Sequence, residues 1–202
     1  MSEDTWSAKL RARAFGDFSP DDMLPDTQPA YVASWIYVFG ALTLAALSML
    51  IISGLILTTG GLRWWHVSSI GHFVNSVHMW SVQLFFVFMV IHLWGKFWMA
   101  AWRGRRLATW ITGAVAFFIS IATALTGYLI QTNFDSQWIA TQSKDGINSA
   151  GIGGFINTLN TGQAVLLHVA LLPLVIGGLA VWHVLLVRRR GVVPPIDAED
   201  MA

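Results

Sequence analysis

Apolar residues dominate four long stretches of the chain, roughly 35–57, 74–98, 110–130 and 164–187, and polar residues fill the intervals between them. An α-helix rises about 1.5 Å per residue, so about 20 apolar residues cross a hydrocarbon core about 30 Å thick. The pattern therefore predicts an all-α membrane protein, a bundle of four transmembrane helices. It divides the chain into a polar N-terminal segment, residues 1–30, a four-helix domain, residues 31–190, and a tail, residues 191–202. Pro20, Pro25 and Pro29 interrupt the polar first 30 residues, so no cleavable signal peptide is expected.

Composition agrees with the pattern. Of 202 residues, 55% are hydrophobic and 11% charged, whereas soluble domains carry about 25% charged residues. Mean hydropathy is +0.58. Cysteine is absent, which excludes disulfides, iron-sulfur ligation, a thiolate nucleophile and thioether attachment of haem.

Charge placement orients the bundle. Lys9, Arg11 and Arg13 precede the first span, Lys96, Arg103, Arg105 and Arg106 lie between the second and third, and Arg188, Arg189 and Arg190 follow the fourth. These are all on one side, leaving only Arg63 and Lys144 opposite, and the positive-inside rule makes the basic side cytoplasmic. Both termini are then cytoplasmic. Residues 131–162 form an outer loop, rich in Gly, Asn and Ser, that is long for a simple connection and suits docking or substrate binding.

Acidic and basic residues are missing from the depth of the spans, apart from Lys96 near one end, but four histidines are present. His78 and His92 are 14 residues apart in the second span, and His168 and His183 are 15 apart in the fourth. At 100° per residue, those steps return to within about 40° and about 60° of the starting face, with a rise of about 21 Å. Each pair thus lies on one side of its helix, with one histidine toward each membrane surface. Buried imidazoles in lipid need partners and mark functional sites. Two neutral imidazoles per level, on opposing helices, suit axial ligation of haem iron, whereas zinc needs three or four converging ligands. The expected metal sites are His78 with His168 for an outer haem iron, and His92 with His183 for an inner one. Six-coordinate haem has no open position, so electron transfer is its natural work, and no catalytic residue is assigned.

Glycines form a parallel ladder. Gly40 and Gly54 in the first span, and Gly113 and Gly127 in the third, are also 14 residues apart. Topology places Gly54 and Gly127 at the outer level and Gly40 and Gly113 at the inner one, where missing side chains give a broad porphyrin clearance. Small-residue helix packing is the alternative reading of either pair alone. Trp110, at the cytoplasmic start of the third span, can donate its indole N–H to an inner haem propionate or simply anchor the interface. Pro173 should kink the fourth span near His168. His66 and His72, in LRWWHVSSIGHF, have no partner at helical spacing and read as surface or structural residues, with a proton relay as the lesser alternative.

Several stretches together resemble a known family: SVHMWS followed by His92, TWITG ahead of Gly127 and Tyr128, HVALLP, and WHVLLVRRRGVVPP. Over about residues 29–195 the chain resembles the N-terminal four-helix part of cytochrome b, above all cytochrome b6 of the b6f complex and its bacterial bc-type relatives. The unequal spacing of 14 and 15 is similar to the b6 pattern. The resemblance implies two non-covalent b-type haems, the one at His78 and His168 of low potential and the one at His92 and His183 of high potential. It implies quinol as substrate in a quinol:cytochrome c, or plastocyanin-type acceptor, oxidoreductase complex of a respiratory or photosynthetic membrane. Implied partners are a Rieske iron-sulfur protein, a c-type cytochrome and a separate subunit with the C-terminal cytochrome b helices, in a homodimeric multi-subunit assembly. That assembly sits in the cell membrane or an energy-transducing inner membrane, and nucleic acid is not expected among its partners. This chain is then an electron-transfer subunit and not a complete enzyme.

Departures from the family pattern are local. Val38 stands where cytochrome b6 has the cysteine of its extra covalent haem, so no covalent haem is expected. Asn75 and Met79 replace arginines that flank the first histidine of the second span, leaving Arg63 as a candidate propionate partner. LIQTNFDSQWIA replaces a Pro-Trp-Asp-Gln type sequence beside the outer quinol site. Two alternatives accordingly stand: a b6-like subunit that delivers quinol electrons to a different enzyme, such as a molybdenum reductase, and a haem-free transporter or scaffold subunit.

Overall fold

A computed structural model describes residues 35–194 together with Trp6. The expected segment 1–30, Trp6 apart, residues 31–34, and residues 195–202 of the expected tail 191–202 therefore lie outside the described residues. Among the described residues every regular element is helical, in the order α1 (Trp35–Gly60), α2 (Trp64–Val67), α3 (Ser69–Trp98), a 3-10 turn (Gly104–Arg106), α4 (Leu107–Leu129), α5 (Phe134–Ser149), α6 (Thr161–Leu166), a π turn (Leu167–Leu171) and α7 (Leu172–Arg190). Four helical stretches are long and apolar enough to span a membrane: α1, α3, α4 with the 3-10 turn before it, and the continuous run α6–α7. Their outward faces carry large apolar side chains, such as Leu55, Trp80, Phe118 and Leu174, that are mostly exposed. A bilayer covers such faces, and the protein is a multi-pass membrane protein.

The bundle is built from two helical hairpins. The first pairs α1 with α3, and the second pairs α4 with α6–α7, whereas contacts between hairpins are sparse. A narrow seam therefore separates them. Buried Ser53, Ser81 and Ser120 return their hydroxyls to carbonyls one turn back, at 2.6 Å to Met49 O, 2.8 Å to Val77 O and 2.8 Å to Ala116 O. Those bonds satisfy hydroxyls that would otherwise be unpaired in hydrocarbon.

Three details differ from the sequence pattern. First, α3 begins at Ser69, five residues before the apolar run, because Ser68 caps it by accepting the Gly71 amide at 3.3 Å. His72 thus lies inside a membrane-spanning helix. Second, residues 131–162 contain α5, whose Asn133 cap accepts the Ser136 amide at 2.8 Å and whose first turn carries Asp135. Its residues are largely polar, so hydropathy does not register it. Ala140 of α5 nevertheless packs in a buried cluster with Leu129, Ile130 and Ala164, and Thr158 Oγ1 donates to Ala140 O at 2.7 Å. Third, Pro173 produces a π turn in the fourth span. Proline has no amide to continue the ladder, and the Leu172 amide reaches back five residues to Leu167 O.

Candidate functional site

The four span histidines meet across the seam in two levels. His78 of α3 faces His168 of the π turn with ring centres 6.2 Å apart and planes at 82°. His92 of α3 faces His183 of α7 at 6.5 Å and 81°. An imidazole nitrogen binds a transition metal at about 2.0–2.1 Å, and the ring centre lies about 1.15 Å behind it, so opposed imidazoles on one metal have centres about 6.3–6.5 Å apart. The donor set and its spacing fit a bis-histidine haem iron at each level.

Each glycine of the ladder lies against a histidine of its own level. A Cβ on Gly54 would stand 3.4 Å from His78 Cε1, one on Gly40 3.1 Å from His92 Cε1, and one on Gly113 3.0 Å from His183 Cε1. A Cβ on Gly127 would run into His168 Cε1. The clearance expected for the porphyrin is thus taken up first by the imidazole itself. Glycine lets the Cε1 edge of each ring approach the neighbouring helix backbone.

Three rings are fixed by bonds at Nδ1. The Ser53 hydroxyl donates to Met49 O, so its oxygen accepts from His78 Nδ1 at 2.9 Å. The Thr112 hydroxyl donates to Thr109 O at 2.8 Å and accepts from His183 Nδ1 at 3.1 Å. His168 Nδ1 donates to Thr123 O at 2.9 Å, with Thr126 Oγ1 at 3.4 Å. An N–H at Nδ1 leaves the lone pair on Nε2, the form that binds metal. His92 differs: its Nδ1 is buried without a hydrogen-bond partner.

These supporting groups were legible in a pattern that hydropathy ignores. Ser53, Thr112 and Thr126 each immediately precede a ladder glycine, whereas Phe39 precedes Gly40. Of the four span histidines, the one whose Nδ1 is buried without a partner is His92, beside Gly40.

Two cavities flank the His78–His168 pair, one of about 160 Å³ toward the middle of the bundle and one of about 450 Å³ toward α2 and the end of α4. At the other level, Trp110 Nε1, Arg106 Nε and Thr109 Oγ1 are buried polar atoms without partners on neighbouring turns. Such orphans cost about 1–3 kcal/mol each unless a ligand or water meets them. Lys96 Nζ lies 3.6 Å over the Tyr37 ring, and Tyr37 donates to Val193 O at 2.7 Å, tying the chain after α7 back to α1. His66 Nε2 is 3.0 Å from Gln131 O and 3.2 Å from Thr132 Oγ1, joining α2 to the connection after α4. His72 is an exposed residue of α3, its carbonyl accepting from Ser76 Oγ at 2.9 Å. Arg63 is exposed and does not line either cavity.

Four membrane helices, arranged as two hairpins around two stacked pairs of opposed histidines, define a frame suited to a membrane-embedded redox protein. The profile described as Cytochrome b(N-terminal)/b6/petB matches residues 83–202, and the chain belongs to that family, whose cofactor is b-type haem. Among relatives, cytochrome b6 of Chlamydomonas reinhardtii is 29% identical over 138 residues, 62% of this chain and 64% of that one. The menaquinol:cytochrome c reductase cytochrome b subunit of Geobacillus thermodenitrificans is 27% identical over 207 aligned positions, 89% of this chain and 91% of that one. A chain of the solved structure titled "Hyperthermophilic respiratory Complex III" superposes with a TM-score of 0.72 at 22% identity, covering 94% of this chain and 54% of that one. This chain thus spans just under two thirds of the algal relative and about half of the solved chain.

Proposed function

We propose that this protein is the two-haem cytochrome b subunit of a quinol-oxidising complex, carrying electrons from quinol across the membrane. The observation that supports it most is the pair of opposed histidine rings at each of two levels, at 6.2 and 6.5 Å. His78 and His168 would hold one haem, and His92 and His183 the other. Haem held there by two imidazoles would supply a one-electron couple, which suits electron transfer. Ser53, Thr112 and the Thr123 carbonyl hold three of the imidazoles in the metal-binding tautomer. Gly40, Gly54, Gly113 and Gly127 admit the rings to the helix backbones, and Trp110 offers a buried indole N–H to an inner carboxylate. The chain has no cysteine, so both haems are non-covalent.

The orientation that follows from the basic residues puts both termini in the cytoplasm, His78 and His168 near the outer face, and α5 on the outer surface. Relatives bearing the name menaquinol:cytochrome c reductase cytochrome b subunit support quinol as electron source and a cytochrome c as acceptor. The proposed company is a Rieske protein, a c-type cytochrome and a polypeptide with the C-terminal cytochrome b helices, assembled as a dimer. The deciding experiment is purification of the native complex, with subunit identification, haem extraction and a reduced-minus-oxidised spectrum. Two acid-extractable haems per chain with a b-type α-band are expected, and absence of that band would overturn the reading.

A further inference from the structure

The cavity of about 450 Å³ beside His78 and His168 has no charged residue in its lining. Its polar groups include Trp65, Asn75 and Gln131. Trp65 is only 6% exposed, yet its Nε1 is buried without a partner. Asn75 and Gln131 face each other through two reciprocal amide contacts, each 3.4 Å, and Gln131 Nε2 is also 3.9 Å from Met79 Sδ. Bonds of that length are weak, so these amides are free to turn toward a better acceptor.

Resting on the haem reading of the histidine pairs, we propose that Trp65, Asn75 and Gln131 receive the carboxylate edge of the outer haem through neutral N–H donors, with no cation at the site. The position argues for it: one cavity is bounded by both outer histidines at its base and by these three donors. The chemistry agrees, because a buried indole N–H without a partner fits an acceptor supplied from outside the chain. The segment that places Trp65 is built for rigidity. Gly61 turns the chain at φ +75°, and a Cβ on Gly71 would stand 2.7 Å from Trp64 O, so α2 lies directly on the start of α3. An uncompensated carboxylate near the iron favours the ferric state, since low polarity strengthens its attraction for the extra positive charge. The site thereby lowers the outer haem's potential relative to one closed by arginine.

Redox titration of membranes holding the native complex tests this, following the two b-type α-bands separately in wild type, Asn75→Arg and Trp65→Phe. Asn75→Arg adds the missing cation and should raise the outer haem's midpoint by tenfold or more in the reduced-to-oxidised ratio at fixed poise, 59 mV for one electron. Trp65→Phe keeps the ring and removes the donor, so it should lower the outer midpoint or release the outer haem alone. The inner haem should keep its potential in both variants. An unchanged outer midpoint in Asn75→Arg overturns the proposal, as does an effect confined to the quinol KM, which would mean that the donors serve quinol instead. A wild-type complex with no b-type band would instead remove the haem reading on which it rests.

Discussion

Pro173 lies five residues after His168, and the helix between them is wound as a π turn in which the Leu172 amide bonds Leu167 O and not His168 O. A π turn accommodates one extra residue relative to an α-helix. The step of 15 from His168 to His183 therefore does the work of the step of 14 from His78 to His92, and the two ladders meet rung for rung.

That relationship predicts the behaviour of two variants. Pro173→Ala should allow α-helix to propagate through the turn, rotating His168 away from His78 and lowering outer-haem occupancy about tenfold. Deleting Val169 in the same chain restores a step of 14 and should recover the haem. Haem counts per chain in the single and double variants check it, and equal counts in wild type and Pro173→Ala would refute the role of the turn.

The glycines predict a graded series. Each change should weaken the haem of its own level: Gly127→Ala should do most harm, since its Cβ would run into the His168 ring, and Gly54→Ala least, since its Cβ would sit at ordinary contact distance from His78. Gly40→Ala and Gly113→Ala fall between. Haem spectra of the four variants in membranes measure the order, and a mild Gly127→Ala beside a severe Gly54→Ala would contradict it.

His92→Ala should abolish the inner haem and leave insertion intact, because alanine is a strong helix former. One haem per chain is the expected count. Retention of two would rule out His92 as a ligand.

Ser53→Ala removes the acceptor that holds the His78 N–H. The imidazole becomes a poorer electron donor, so the outer midpoint should rise and haem affinity should fall by about 10-fold to 100-fold. The comparison is Thr112→Ala, which should move the inner midpoint alone. Equal responses of both haems to either variant would argue against ring-specific support.

Much of this arrangement is legible in the sequence because membrane spans are written in long apolar runs and the histidines stand out against them. The four-span fold follows from those two signals, and the family resemblance from the stretches SVHMWS, TWITG, HVALLP and WHVLLVRRRGVVPP. Other features are carried by weaker marks. The helix α5 is hidden because its sequence is polar along most of its length, and its start is signalled only by Asn133 and Asp135. Trp65 reads as one more interfacial aromatic, since burial of its nitrogen depends on how α2 rests against α3. Pro173 announces a kink, but the direction of its effect, an extra residue absorbed and not a bend alone, emerges only when the 14 and 15 spacings are laid side by side.

The sparse contact between the two hairpins has a consequence for how the protein is made. Helix association in a bilayer usually depends on close van der Waals packing between the helices themselves. Here each hairpin has that packing within itself, and the seam between them does not. On the proposed haem reading, assembly should have an order, the hairpins forming first and the prosthetic groups then acting as the mortar that joins them. Biogenesis under haem starvation should accordingly yield inserted but splayed chains, open to protease along residues 131–162 until haem is restored.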